Sequence, residues 1–298
     1  MKRLLFIYNP HAGKGLLKPK LSDIVDIFVK EDYEVVIYPT QGNKDAYRKV
    51  LSYEAGAYDL IVCSGGDGTL DEVVTGMMNR EKKDPIGYIP TGTTNDFAHS
   101  LGIPKGLLDA AKNAVTGKEF ACDAGDFNGD TFVYVAAFGL FTATSYETDQ
   151  NLKNMLGHLA YVLSGAKELL NIPSYNIRAE HDGEVIEGEF MYGMVTNSRS
   201  VGGFRNMISQ DMEFDDGLFE VTLIRTPKNP LELNEIIAAL LVENFDTQYM
   251  HRFMTSEISF ASQEVVPWTL DGEYGGDHKE VTVKNRQKQI SLMIPKEQ

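Results

Sequence analysis

DLIVCSGGDGTLDEVV, residues 59–74, is the stretch from which the fold can be read. A short apolar run, Leu60 to Cys63, enters Gly65-Gly66-Asp67-Gly68-Thr69, and Leu70, Val73, Val74 and Met77 leave it at helical spacing. That order reads as strand, tight loop, helix. Glycines let successive backbone N–H groups turn toward one point, and the start of the helix adds its own unpaired donors. Such a loop suits a phosphate. Asp67 repels phosphate unless a cation stands between them, so metal-nucleotide chemistry outranks simple anion storage. The plain alternative is a tight connection in which the glycines serve sterics alone. The pattern is neither the G-x-x-x-x-G-K-[ST] phosphate loop nor the G-x-G-x-x-G dinucleotide fingerprint.

Outward from this stretch the same unit recurs. Leu4 to Tyr8 reads as a strand that stops at Asn9-Pro10. His11-Ala12-Gly13-Lys14-Gly15 follows as a flexible loop, and Leu17, Leu21, Ile24, Val25 and Phe28 share a helical face. Lys14 is placed to pair with a phosphate or to be a solvated lysine before a helix. Glu34 to Thr40 is a further strand, and Thr40 is either a nucleotide contact or an ordinary loop hydroxyl. Ile86 to Ile89 leads into Pro90-Thr91-Gly92-Thr93-Thr94-Asn95-Asp96, where Thr94 or Asn95 is a candidate helix cap. Asp96 is a candidate to hold a metal-water network or to orient a phosphate-binding lysine. Repeated strand-loop-helix units imply a parallel sheet with ligands at its carboxyl ends.

After a helix through Val115 the pattern changes. Phe120–Phe127, Asn128-Gly129 and Thr131–Ala137 read as a hairpin, and short strands dominate from there on, interrupted by a helical, apolar Leu156–Leu170. The expected architecture is an α/β domain over residues 1–120 with a central parallel sheet, then a β-rich, sandwich-like domain over 121–285. Residues 286–298 are expected to return to the first domain. Two acidic turns stand out in the second half. In Glu213-Phe214-Asp215-Asp216-Gly217-Leu218, Asp216 and nearby carbonyls are either hard oxygen ligands for Mg²⁺ or a solvated turn. Asp271-Gly272-Glu273 repeats the tripeptide of Asp182-Gly183-Glu184, and its acids face either a cleft or solvent.

Composition narrows the class. With 28 Lys plus Arg against 43 Asp plus Glu, the net charge is -15, which disfavours nucleic acid and long-range attraction to anionic lipid. Cys63 and Cys122 are too few for a disulfide framework or a thiolate metal site, and Cys63 reads as a core residue. The N-terminal apolar run is too short for a secretory signal, and no run reaches the roughly 20 residues of a membrane span. A cytoplasmic protein is expected.

Taken in order, NPHAGKG (9–15), SGGDGTLDEVV (64–74), PTGTTNDFA (90–98), DDGLFEV (215–221) and DGE (271–273) resemble the bacterial diacylglycerol kinase and related lipid-kinase family. The resemblance covers nearly the whole chain. The central loop alone is shared with NAD kinases and phosphofructokinase-like proteins; the ordered set is not. It implies ATP-dependent phosphorylation of a primary lipid hydroxyl, most readily that of diacylglycerol, with ATP and lipid meeting between the domains. Another lipid alcohol, a small molecule such as NAD, or a noncatalytic nucleotide- or lipid-binding regulator are the alternatives.

Residue by residue, the resemblance implies ATP contacts at Asn9, Pro10, His11, Ala12, Gly13, Lys14, Thr40, Gly65, Gly66, Asp67, Gly68, Thr69, Leu70, Asp71 and Thr93. It implies a network of Asp67 and Asp96, and structural Mg²⁺ at Glu213, Asp216 and Leu218. Glu273 is implied as the catalytic base, with Asp271 as its close acidic partner. Relatives often carry arginine after NDFA, where this chain has His99, a weaker or pH-dependent cation. Transient peripheral access to the inner face of the cell membrane is implied, with burial of the 152–170 stretch as the alternative to lipid contact, and a homodimer is compatible with the resemblance.

Overall fold

The computed structural model describes residues 1–93, 95–140, 172–198, 213–241 and 247–296. Thr94 and the apolar helical stretch Leu156–Leu170 lie outside the described residues. The chain divides into two compact units, Met1–Ala124 with Gln287–Gln298, and Gly125–Arg286.

In the first unit β1 (Lys2–Tyr8) is an inner strand, and Leu4, Leu5, Phe6 and Ile7 are fully buried. A strand covered on both faces requires such an unbroken apolar run. It pairs in parallel with β2 (Tyr33–Pro39) on one side and β3 (Leu60–Gly65) on the other. Beyond β3 lies β4 (Ile86–Pro90), also parallel. The order β2-β1-β3-β4 reverses direction between β1 and β3, which opens a crevice at the carboxyl ends of those strands.

Helices make the crossovers. In α1 (Leu21–Lys30), Ile24 and Phe28 are buried, and Phe28 meets Phe6 edge-on at 5.4 Å. The others are α2 (Asp45–Ser52), α3 (Asp67–Met78), α4 (Asp96–Ser100) and α5 (Leu107–Thr116), followed by β5 (Lys118–Phe127). The connection after β3 is shorter than its glycines imply. Gly65 ends the strand, Gly66 caps the helix, and Asp67, Gly68 and Thr69 form the first turn of α3.

The second unit is antiparallel. Asn128 and Gly129, both at positive φ, turn the chain from β5 into the short β6 (Asp130–Phe132). The expected hairpin stops there, because β7 (Val135–Gly139) pairs with other strands. Its partners are β9 (Glu184–Thr196) and β12 (Glu257–Leu270), which sequence proximity does not reveal. β8 (Tyr175–His181) pairs with both β9 and β12, while β10 (Phe219–Arg225) lies between β9 and β11 (Met250–Thr255). Trp268 is buried in the core, its ring centroid 5.1, 4.8 and 5.2 Å from those of Phe127, Phe138 and Phe260.

Two further elements were not anticipated from sequence: β11, and α6 (Pro230–Leu241). The final strand, β13 (Glu273–Ile294), is antiparallel to β12 in its first part. Its last residues belong to the first unit, where Leu292 pairs with Ile86 and the Asn113 side-chain amide donates to Met293 O at 2.9 Å.

Candidate active site

Three loops lie at the carboxyl ends of β1, β3 and β4, in the first unit. The Asn9 N–H donates to Ser64 O at 2.8 Å, and its side-chain Oδ1 accepts from the His11 N–H at 2.9 Å, turning the chain through Pro10. Gly13, Lys14 and Gly15 then adopt left-handed backbone in succession, φ 56°, 57° and 78°. Glycine is required at the first of these. A Cβ on Gly13 would stand 2.3 Å from Thr91 O, so the loop after β1 closes on the loop after β4. Lys14 is exposed and makes no ion pair among the described residues, which leaves its ammonium for an anionic ligand.

The loop after β4 closes on the central one in turn. A Cβ on Gly92 would lie 2.6 Å from Gly66 Cα. Asn95, at φ 51°, occupies the cap position of α4 without capping it. Its amide instead grips Gly92, accepting from Gly92 N–H at 2.9 Å and donating to Gly92 O at 2.8 Å. Thr91 N–H and Tyr88 O–H both donate to Gly65 O, at 2.8 and 3.1 Å. Burial, and then the charge of Asp67, push the Tyr88 phenol well above its ordinary value, which keeps it a neutral donor. The Asp96 N–H donates to Asp67 Oδ2 at 3.3 Å, so the two acids expected to form a network are adjacent.

The remaining nucleotide candidates divide by burial. Thr93 is exposed, Thr40 is buried with its N–H on Tyr8 O, and the Leu70 side chain is only 1% exposed and belongs to the core. Asp71 Oδ1 accepts from the Thr75 hydroxyl one turn along α3. Glu72, not singled out from the sequence, accepts Lys44 N–H at 2.7 Å and Ala46 N–H at 2.9 Å, tying the loop after β2 to α3. Cys63 is fully buried, burial pushes its thiol up, and it is a packing residue. His99 is exposed in the last turn of α4.

The residues present fit a nucleotide phosphate. The Ser64 and Thr91 hydroxyls are buried without a hydrogen-bond partner among the described residues, beside loops whose close approaches leave no room for Cβ atoms. The metal candidates are in the second unit. Leu218 N–H donates to Asp216 Oδ1 at 2.9 Å across Gly217, at φ 83°, while Glu213 is exposed. No group of three or more His, Cys, Asp or Glu side chains among the described residues is disposed to hold a metal. A site there would draw on one carboxylate and main-chain carbonyls, oxygen donors of the kind Mg²⁺ takes together with water.

The turn from β12 to β13 carries the acids of the DGE tripeptide. Asp271 is 5% exposed. Its carboxylate accepts three backbone N–H groups, from Val133 at 2.5 Å and from Tyr134 and Val135 at 2.9 Å each. Glu273 is exposed at the start of β13 and makes no hydrogen bond or ion pair among the described residues.

Crossover loops at a topological switch, with a lysine that makes no ion pair among the described residues, give the α/β first unit the features of a phosphate-binding domain, and the second unit is antiparallel. Residues 3–127 match the diacylglycerol kinase catalytic domain, and residues 135–292 match the YegS C-terminal NAD kinase beta sandwich-like domain. A diacylglycerol kinase of Bacillus subtilis is 34% identical over 298 residues, covering 100% of this chain and 98% of the relative. One from Staphylococcus carnosus is 33% identical over 297 residues, covering 99% and 96%. The crystal structure of a diacylglycerol kinase from Bacillus anthracis superposes with a TM-score of 0.80 at 26% identity, covering 98% of this chain and 97% of that one. The chain belongs to the bacterial diacylglycerol kinase family.

Proposed function

We propose that this protein is an ATP-dependent lipid kinase that transfers the γ-phosphoryl group to the primary hydroxyl of diacylglycerol, yielding phosphatidic acid and ADP. The observation that carries this reading is the set of mutually closing glycine loops at the carboxyl ends of β1, β3 and β4, in a chain that belongs to the diacylglycerol kinase family over its whole length. The first unit is the nucleotide domain. Asn9 through Lys14, Thr40, Gly65 through Asp71 and Thr93 line the ATP site. Leu70 contributes through its main chain, since its side chain is in the core.

Glu273 accepts the proton of the lipid hydroxyl as that oxygen attacks the γ-phosphorus and the bond to the ADP oxygen breaks. An exposed carboxylate without a fixed partner among the described residues is available for that hydrogen bond. Lys14 and the backbone N–H groups at the start of α3 stabilise charge on the transferring phosphate. Asp67 and Asp96 form the acidic network beside it. Asp216, with main-chain oxygens of Glu213 and Leu218, would hold Mg²⁺, which when bound would supply fixed positive charge. No covalent protein intermediate is needed. The diacylglycerol hydroxyl lies at the lipid-water interface, so the enzyme works from the membrane surface. No helix among the described residues is long and apolar enough to cross a membrane.

Transfer from γ-labelled ATP in mixed micelles with Mg²⁺, to diacylglycerol, sphingoid bases, polyprenols and NAD, tests the assignment by mass spectrometry of the product. Phosphatidic acid as the dominant product is expected. Preference for another alcohol would change the substrate and keep the mechanism. ATP binding with no transfer to any acceptor would leave a regulator.

A further inference from the structure

Asp271 and Glu273 flank one glycine, but their surroundings give them different chemistry. Leu270 pairs with Glu273 across a two-residue turn in which Asp271 and Gly272 have φ 49° and 88°. A turn of this kind closes a hairpin without help from a side chain. Asp271 nevertheless turns its carboxylate inward to three successive amides, those of Val133, Tyr134 and Val135. The grip is reciprocal: the Asp271 N–H donates to Val135 O at 2.8 Å, and the Tyr134 hydroxyl donates to Asp271 O at 3.3 Å. Val135 begins β7, which is held between β9 and β12.

A carboxylate that collects amide donors is stabilised in its ionised form as an acceptor, and a proton placed on it would face those N–H groups. Glu273 has no side-chain partner among the described residues, and there its position comes from its backbone. We infer that Asp271 is a positioning residue: it clamps the β12–β13 turn onto the segment leading into β7 and thereby sets where Glu273 stands, and it takes no proton in the reaction. This rests on the reading of Glu273 as the base.

Asp271→Asn and Glu273→Gln proteins, compared with wild type, separate the two ideas. For Asp271→Asn, kcat should fall by about 10²-fold, the scale of a misplaced catalytic group, with KM for ATP unchanged. The shape of the kcat pH profile should be retained, and amide exchange at Val133, Tyr134 and Val135 should accelerate. Glu273→Gln should lose activity with those three amides as protected as in wild type. Loss of activity in Asp271→Asn with unchanged amide protection and an abolished acidic limb would make Asp271 the proton acceptor and overturn the inference.

Full activity in Glu273→Gln would instead overturn the base assignment, while the amide data would still report on the clamp. Tyr134→Phe covers the case in which Asp271→Asn does not fold, since it removes the hydroxyl that donates to Asp271 O and leaves the Asp271 carboxylate in place. Faster exchange across Leu270 to Glu273 together with a several-fold lower kcat supports the clamp. Faster exchange at an unchanged kcat contradicts it.

Discussion

The second unit contains the tripeptide Asp-Gly-Glu twice, at 182–184 and 271–273, and the two copies share a backbone. Each is a two-residue hairpin turn, with φ 48° and 83° at Asp182-Gly183 and 49° and 88° at Asp271-Gly272. They differ in what lies around them. The Asp182 side chain is 61% exposed and lies beside His181, whereas Asp271 is 5% exposed and anchors Val133 to Val135. Identical local sequence fixed the turn in both places; only the strands brought alongside gave the second copy a task. A motif of three residues therefore identifies a conformation, and its environment decides whether it is a site.

The largest expected contrast is catalytic. Glu273→Gln should lower kcat by about 10² to 10⁴-fold, the range for loss of a general base, whereas Glu184→Gln should leave lipid phosphorylation unchanged. Steady-state kinetics on diacylglycerol micelles read both, and equal effects would erase the distinction between the turns. Next is stability. Asp271→Ala leaves buried amide donors unsatisfied and should cost about 3 kcal/mol in urea unfolding, with no resolvable change for Asp182→Ala.

Gly272→Ala and Gly183→Ala should each cost about 1 kcal/mol, because both force a Cβ into left-handed backbone. A clear inequality between them in the same unfolding assay would mean that the turns differ in backbone after all.

The smallest effect is a pH dependence at the first turn. The Thr255 hydroxyl, followed by the His181 hydrogen bond, holds the Asp182 carboxyl below its ordinary value. A folded-state value below the unfolded one gives a stabilisation that is complete above about pH 4 and lost as the pH falls through the folded value. Asp182 is solvated, so the loss should be slight. Comparing unfolding midpoints of wild type and Asp182→Asn from pH 5 to pH 3 measures it; a midpoint difference that grew on acidification would reverse the sign.

What the sequence made legible follows from how local each signal is. The strands Leu4–Tyr8 and Leu60–Cys63 announced themselves by unbroken apolar runs, and the phosphate loops by glycines directly after them. The start of α3 was misplaced because Gly66 and Gly68 are poor helix formers, although Asp67 between them already stands in the first helical turn. The start of α6 carries a local signal of its own. Asn229 Oδ1 accepts both Leu231 N–H and Glu232 N–H at 3.0 Å, and Glu232 returns the bond to Lys228 N–H at 2.7 Å, with proline at the first helical position.

Other features had no local signal to find. β7 lies directly after the Asn128-Gly129 hairpin in sequence and pairs with strands far along the chain. The amides gripped by Asp271 are 136 to 138 residues away from it. The resemblance made Asp271 an acidic partner of the base; its hydrogen bonds assign that partnership to the backbone.

The most direct test of the account is the stereochemical course of transfer, using ATP made chiral at the γ-phosphorus with oxygen isotopes, diacylglycerol as acceptor and Mg²⁺ present. A single in-line displacement assisted by Glu273 predicts phosphatidic acid with inverted configuration at phosphorus. Retention would require a phosphorylated protein intermediate and contradict the mechanism, and failure to form phosphatidic acid at all would contradict the function.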